Sequence, residues 1–427
     1  MSSSTDDTEA QGTKVPSQPS SENVPPDGGL TAWLQILGSF FAWFNTFGLT
    51  NAFGIFNTYY TTTAFPHQNP SLISLIGSIQ PFVLIFFGFL AGPLWDAGYC
   101  RLLIISGTTI IAFGYFMVSI CNAYWQVMLA QGVLIGFGSA LLYLPAVAII
   151  PQYFTRKKAL ANGIAASGSA FAGVIYPIAF RQLLGRLSFG WSVRVLAFMV
   201  IATGVIPAVC IRPCLPPPPK EKRRRPLKID LKPFIDEPAY GFYTLALFFC
   251  LGAQYTPVFF IQDYVQSKHI MSSDIATYLL PILNAWSVIG RIAPNIIADR
   301  VGGVNVLIPC MTVVVLLTFC WIGVTTAAGS FVWVSLYGFF IGSILSMPAF
   351  VVSSLCPDPK IAGTRMGTAF AVSSFGILAG PPVAGAILET GSWLGLQLFA
   401  GALLLLALGA LMFVRFWVVG WTLHRKV

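Results

Sequence analysis

From residue 31 to residue 418 the chain alternates apolar runs of membrane-crossing length with short polar breaks. A backbone crossing hydrocarbon must satisfy its own amides and carbonyls, and apolar runs this long do so as α-helices. The runs fall near 31–58, 72–95, 102–121, 124–150, 159–181 and 193–211. A second set falls near 240–263, 274–298, 304–326, 331–355, 365–388 and 393–418. Charged residues are only 9 % of the 427, against roughly 25 % in a soluble domain whose surface must be wetted. The expected fold is therefore all-α and integral to a membrane, with about twelve spanning helices.

Six runs precede the stretch 212–239 and six follow it. That stretch holds Pro216 to Pro219 and then Lys220-Glu221-Lys222-Arg223-Arg224-Arg225, which reads as a basic, Pro-rich linker. Two six-helix halves follow, 30–211 and 240–419. Residues 1–29 are rich in Ser, Pro, Gln and acidic groups without an apolar core, so they read as a disordered tail and not as a cleavable signal. Residues 420–427 form a short second tail. The net charge of +9 does not indicate a nucleic-acid partner, because the basic residues sit between apolar runs. With the amino terminus in the cytosol, most of the 24 lysines and arginines fall on cytosolic segments. The opposite side holds only Arg181, Arg186, Arg194 and Lys268. The positive-inside bias therefore places both termini in the cytosol, and a multi-pass protein of the plasma membrane is expected.

Chemistry-bearing clusters are scarce. The eight cysteines are scattered, and His67, His269 and His424 lie outside the middle of any run, so no metal, haem or other cofactor is expected. An intramembrane enzyme would need a paired aspartate, a Ser–His dyad or a histidine cluster within the runs, and none is present. No GxxxxGK[ST] loop occurs, so ATP does not drive the protein directly. A sensor or scaffold would need a long signalling tail, which the reading gives no place for. What remains is a secondary transporter of a small organic molecule, powered by a gradient of substrate or of protons. Uptake and efflux, including export of a larger secondary metabolite, both fit.

An internal repeat supports the two halves. The second run ends Gly92-Pro-Leu-Trp-Asp96-Ala-Gly98-Tyr-Cys-Arg101, and the eighth ends Ile296-Ile-Ala-Asp299-Arg300-Val-Gly302-Gly303. A carboxylate there can accept from helix-end amides and pair with arginine, which makes Asp96, Arg101, Asp299 and Arg300 candidate gating residues. An ordinary interfacial turn is the plainer alternative for either site alone. Small residues at four-residue spacing, Gly163/Ser167, Ser169/Gly173, Gly132/Gly136 and Gly376/Gly380, suit close helix packing.

Arg291 is the most informative single residue, because a charge inside a span costs roughly 2.5–3.5 kcal/mol and therefore faces a cavity or snorkels to the interface. Asn45, Asn51, Tyr143, Gln254, Tyr255 and Asn284 are polar positions inside runs and complete the candidate substrate-binding set. Each has a plainer reading as a helix–helix hydrogen bond.

The junction Asp27-Gly28-Gly29-Leu-Thr-Ala-Trp33, the 153–173 stretch and Gly380-Pro-Pro-Val-Ala-Gly385 together resemble the monocarboxylate-transporter branch of the major facilitator superfamily, in its fungal form. The resemblance implies twelve helices in two repeated halves with a site near the bilayer midplane. It also implies a small-molecule substrate, carboxylates included, with protons as a candidate co-substrate. The proton-coupled animal members place a lysine where this chain has Asn51 and an aspartate where it has Ser287, so only Arg291 carries over. An epitope tag at either terminus is expected to be reached by antibody only after the membrane is permeabilised. Labelling of intact cells would reverse the topology.

Overall fold

The computed structural model describes residues 27–214, 232–356, 358 and 361–420. The centre of the expected linker (215–231) and most of both expected tails (1–26 and 421–427) lie outside these residues. Every regular element among the described residues is helical. Among the described residues, eleven helical stretches, some with a short break or a π-helical segment inside, are long and apolar enough to cross a membrane. They are α2 (Leu72–Asp96), α3 (Cys100–Val118), α4 (Tyr124–Tyr153), α5 (Lys158–Leu184), α6 (Phe189–Cys210) and α7 (Pro238–Ser267). The series continues with α8 (Ser273–Val301), α9 (Gly303–Gly323), α10 (Ala327–Ser354), α11 (Ala362–Glu389) and α12 (Trp393–Val419). The apolar runs and the helices coincide to about one helical turn.

The first span, α1, is made of three consecutive segments, Gly29–Asn45, Phe47–Asn51 and Phe53–Tyr59. No proline or glycine marks the first break. Thr46 leaves helical geometry at φ −113 and ψ −89, and its hydroxyl donates back to the Ala42 carbonyl at 2.8 Å. Such back-bonding gives the chain an alternative to the helical ladder and bends helices. Trp43, Phe47 and Asn51, four residues apart and so on one face, line the middle of the protein around this break.

Within the first half α1 packs on α5 and α6, and α3 packs on α4 and α6. Within the second, α7 packs on α11 and α12 while α8 packs on α10. Two seams join the halves: α5 against α8, and α2 against α11. Lipid tails are as apolar as leucine, so helix association in a membrane depends on close approach and polar contacts. Glycine supplies the approach. A methyl group added at Gly380 would collide with the Gly252 carbonyl on α7, and one at Gly290 with the Phe339 carbonyl on α10.

A chain of hydrogen bonds gathers the described ends on one face. The Asp27 carboxylate accepts from the Thr155 and Arg156 amides at 2.6 and 2.8 Å, and the Tyr153 hydroxyl donates to the Arg212 carbonyl at 2.7 Å. Arg415, near the end of α12, donates to Asn305 at 2.7 Å. This surface, which also carries Arg101, Arg156, Lys157 and Arg300, is the basic face. Gly380→Leu is expected to lower the apparent Tm in detergent by several degrees, since overpacking costs about 1–3 kcal/mol. Gly409→Ala, which meets nothing within 4 Å, is expected to leave Tm unchanged.

Candidate functional site

Asn284, Ser287, Arg291, Asn295 and Asp299 recur every three or four residues and so lie on one face of α8. That polar stripe runs along the seam against the small-residue face of α5. A methyl group at Gly163 would run into the Arg291 carbonyl, and one at Gly173 would press on the Asn284 amide. Arg291 is 2 % exposed. Its Nε donates to the Ser287 hydroxyl at 3.2 Å, and Nη1 donates across the seam to the Ala166 carbonyl and the Ser169 hydroxyl. All these acceptors are neutral. Below it, Asn295 donates to the Ser346 hydroxyl at 2.7 Å, and Asn162 of α5 donates to the Ser346 carbonyl on α10.

Arg291 lines a central cavity with two chambers. The first is walled by Trp43, Phe47, Tyr143 and Phe370, whose rings pack edge to face or stacked with centroids 4.9–6.0 Å apart. The second is walled by Val258, Leu280, Leu283 and Ile341, with Asn284 and Ser287 beside them. Asn51, Gln254, Tyr255, Leu345 and Arg291 belong to both chambers. No carboxylate lines either one among the described residues. The Gln254 side-chain amide and Trp43 Nε1 are buried there without a hydrogen-bond partner. The cavity volumes are only ≈ 50 and ≈ 30 Å³, room for a few waters, where a drug-sized ligand needs roughly 300–1,000 Å³. The chambers are thus contracted in this conformation.

Of the expected binding residues, the structure brings together Arg291, Asn51, Tyr143, Gln254, Tyr255 and Asn284. Asn45 stands apart. Its side-chain oxygen accepts from the Tyr176 and Thr203 hydroxyls, both at 2.9 Å, inside the first half. It lies outside both chambers, with its side-chain oxygen engaged by α5 and α6. Trp43, Phe47 and Phe370 were not expected. The sequence carries a signal for the first two, since Trp43 and Phe47 stand eight and four residues before Asn51 and so share its helix face; Phe370 has no such mark.

The aspartates of the repeat do more than end their own helices. Asp96, at the end of α2, accepts from the Gly363 and Thr364 amides at 3.2 and 2.8 Å and from the Thr364 hydroxyl at 2.6 Å. Asp299, near the end of α8, accepts from the Ala159 and Leu160 amides at 2.7 and 3.0 Å. Each carboxylate thereby caps the first turn of a helix in the opposite half, where free amides and the helix dipole favour an anion. Arg101 and Arg300, grouped with them from the sequence, are exposed. Helix-start amides reach both carboxylates across the seams. Beside the Asp96 cap, Arg365 pairs with Glu237 at 2.5 Å and lies over the Tyr240 ring. This pairing holds the Glu237 carboxyl below its ordinary range.

Removing a capping carboxylate costs about 1 kcal/mol, which raises the population open at the basic face roughly fivefold. Asp96→Ala and Asp299→Ala are therefore expected to speed thiol labelling at Ser346→Cys, a position 1 % exposed, in a background lacking the eight native cysteines. Unchanged labelling in both would show that the caps do not hold the seams.

Comparison with known proteins places this architecture. The sequence profile of the Major Facilitator Superfamily matches residues 35–362. The MFS-type transporter dbaD of Emericella nidulans is 41 % identical over 384 residues, 89 % of this chain and 85 % of that protein. The aspyridones efflux protein apdF of the same organism is 39 % identical, over 93 % of this chain and 81 % of its own length. The agnestins efflux protein AgnL12 of Paecilomyces divaricatus is 35 % identical, over 91 % of this chain and 89 % of its own length. Among solved structures, the human organic anion transporter MFSD10 (TETRAN) superposes with a TM-score of 0.70 at 13 % identity, covering 89 % of this chain and 98 % of that one. The fucose:proton symporter FucP superposes at 0.66 with 17 % identity, again over 89 % and 98 %. With twelve helices in two halves, a shared central cavity and whole-length relatives that are transporters, this chain belongs to the Major Facilitator Superfamily and is a membrane transporter of small molecules.

Proposed function

We propose that the protein exports an anionic secondary metabolite across the plasma membrane, with both termini and the basic face in the cytosol. The observation that carries this reading is Arg291, a buried guanidinium in the central cavity whose hydrogen-bond partners are all neutral. A buried charge left without compensation costs about 3–5 kcal/mol, which a countercharge on a ligand can offset. An acidic group on the cargo is that countercharge, and a carboxylate is its simplest form. The efflux roles in the names of two relatives support the outward direction.

Transport follows from two states of the seams. With Asp96 and Asp299 capping the opposite half, the cavity is shut from the basic face. Release of both caps parts α5 from α8 and α2 from α11 and opens the cavity to the cytosol. A ligand shifts such an equilibrium only by its differential affinity for the two states, and Arg291 supplies one, since it donates across the seam when the cavity is contracted. Membership in the monocarboxylate-type branch belongs to the same proposal and rests on the 27–33, 153–173 and 380–385 motifs. Proton coupling would need a carrier other than Asn51 or Ser287, which stand where the animal members hold charged groups.

Proteoliposomes preloaded with labelled salicylate, benzoate and pyruvate test the reading. Saturable efflux of at least one of these anions is expected, abolished by Arg291→Ala and strongly reduced by Arg291→Lys, with insertion and elution profile unchanged. Equal efflux from both variants and the wild type would remove Arg291 from the site.

A further inference from the structure

The two chambers differ in their apolar walls, and Arg291, Gln254 and Asn51 sit where they meet. On one side of Arg291 the rings of Trp43, Tyr143 and Phe370 converge from α1, α4 and α11, with Leu247 and Leu251 beside them. On the other the apolar walls are mostly branched and saturated, with Leu280, Leu283 and Ile341 from α8 and α10, and Asn284 and Ser287 add polar groups. Ring faces and edges prefer aromatic partners at offset or edge-to-face geometry. A saturated pocket has no such preference and favours each methylene it takes from water by roughly fourfold in affinity. Between the chambers, Gln254 presents a buried amide with neither its nitrogen nor its oxygen hydrogen-bonded. A polar group held 2 % exposed without a partner costs free energy unless something fills the site with matching donors and acceptors.

From this arrangement we infer the shape of the cargo, resting on the anion reading above: a flat aromatic ring bearing an acidic group, a neighbouring hydroxyl or carbonyl oxygen, and an alkyl side arm. The acid meets Arg291 and the neighbouring oxygen meets the Gln254 amide. The ring lies in the aromatic chamber, and the side arm enters the saturated one. An isolated ring or an isolated chain fills only one chamber.

Thermal-shift titration of the purified full-length protein tests this without requiring transport. The ligands are salicylate, 6-pentylsalicylate and heptanoate, with phenol and 3-pentylphenol as uncharged counterparts. The expected result is that 6-pentylsalicylate binds at least tenfold more tightly than either salicylate or heptanoate. Ile341→Trp, which places an indole in the saturated chamber, should collapse the ratio of pentylsalicylate to salicylate affinity toward one. Gln254→Leu should reduce the advantage of salicylate over benzoate, added as a sixth ligand, because benzoate lacks the neighbouring hydroxyl.

The outcomes separate the two readings. If the acids bind but the pentyl arm brings no gain, the two-chamber inference fails and the anion reading stands. If the acids do not bind while 3-pentylphenol outbinds phenol in an Ile341-dependent manner, the chambers stand and the anion reading fails. No shift with any of the six compounds overturns the inferred cargo shape.

Discussion

Two carboxylates bridge the halves at the basic face, each accepting hydrogen bonds from the first turn of a helix that belongs to the other half. The rest of the architecture is arranged around that exchange. In a bilayer no hydrophobic force distinguishes a helix neighbour from a lipid, so the seams rely on glycine-mediated approach and on a few directed polar contacts. A cap of this kind is worth about 1 kcal/mol. That is enough to bias a two-state equilibrium and too little to freeze it, which is what a protein that must open on alternate sides requires.

The seams share a plan and differ in charge at one position. Eight residues before Asp299 stands Arg291, and eight before Asp96 stands Gly88. Gly88 abuts Gly367 on α11, and the Arg291 carbonyl abuts Gly163 on α5, so the backbone approach is preserved in both. Only the second half adds a side chain with charge. The repeat thus supplies the moving frame, while the departure from it supplies the chemistry. Asn162, Asn295 and Ser346 then link the Arg291 backbone on α8 to α10 and α5 by neutral hydrogen bonds.

The fold was legible because the requirement for internal hydrogen bonding in lipid leaves so few solutions for long apolar runs. Arg291, Asn51 and Gln254 were legible for a related reason: polar groups inside such runs need polar surroundings, and a cavity is one place to find them. Asn45 satisfied the same pattern yet found its partners in Tyr176 and Thr203, and local sequence does not distinguish the two fates. The caps were half visible. The repeated Asp, Gly and basic residue marked the spots, but the amides that Asp299 and Asp96 engage lie 140 and 268 residues away in the chain. The break at Thr46 left no mark at all, since threonine occurs freely in unbroken helices.

The absence of a carboxylate among the described residues lining Arg291's cavity also bears on energy supply. A carrier that protonates an acid beside its cation can move cargo as a neutral pair, indifferent to voltage. On the proposed reading the cation stays with the protein and returns with it, so each cycle moves one negative charge outward in net. Each elementary charge moved through the membrane field is worth about 2.3 kcal/mol per 100 mV. With a negative cell interior, that work is done on the anion in the outward direction, so the resting membrane potential itself would act as the fuel for export.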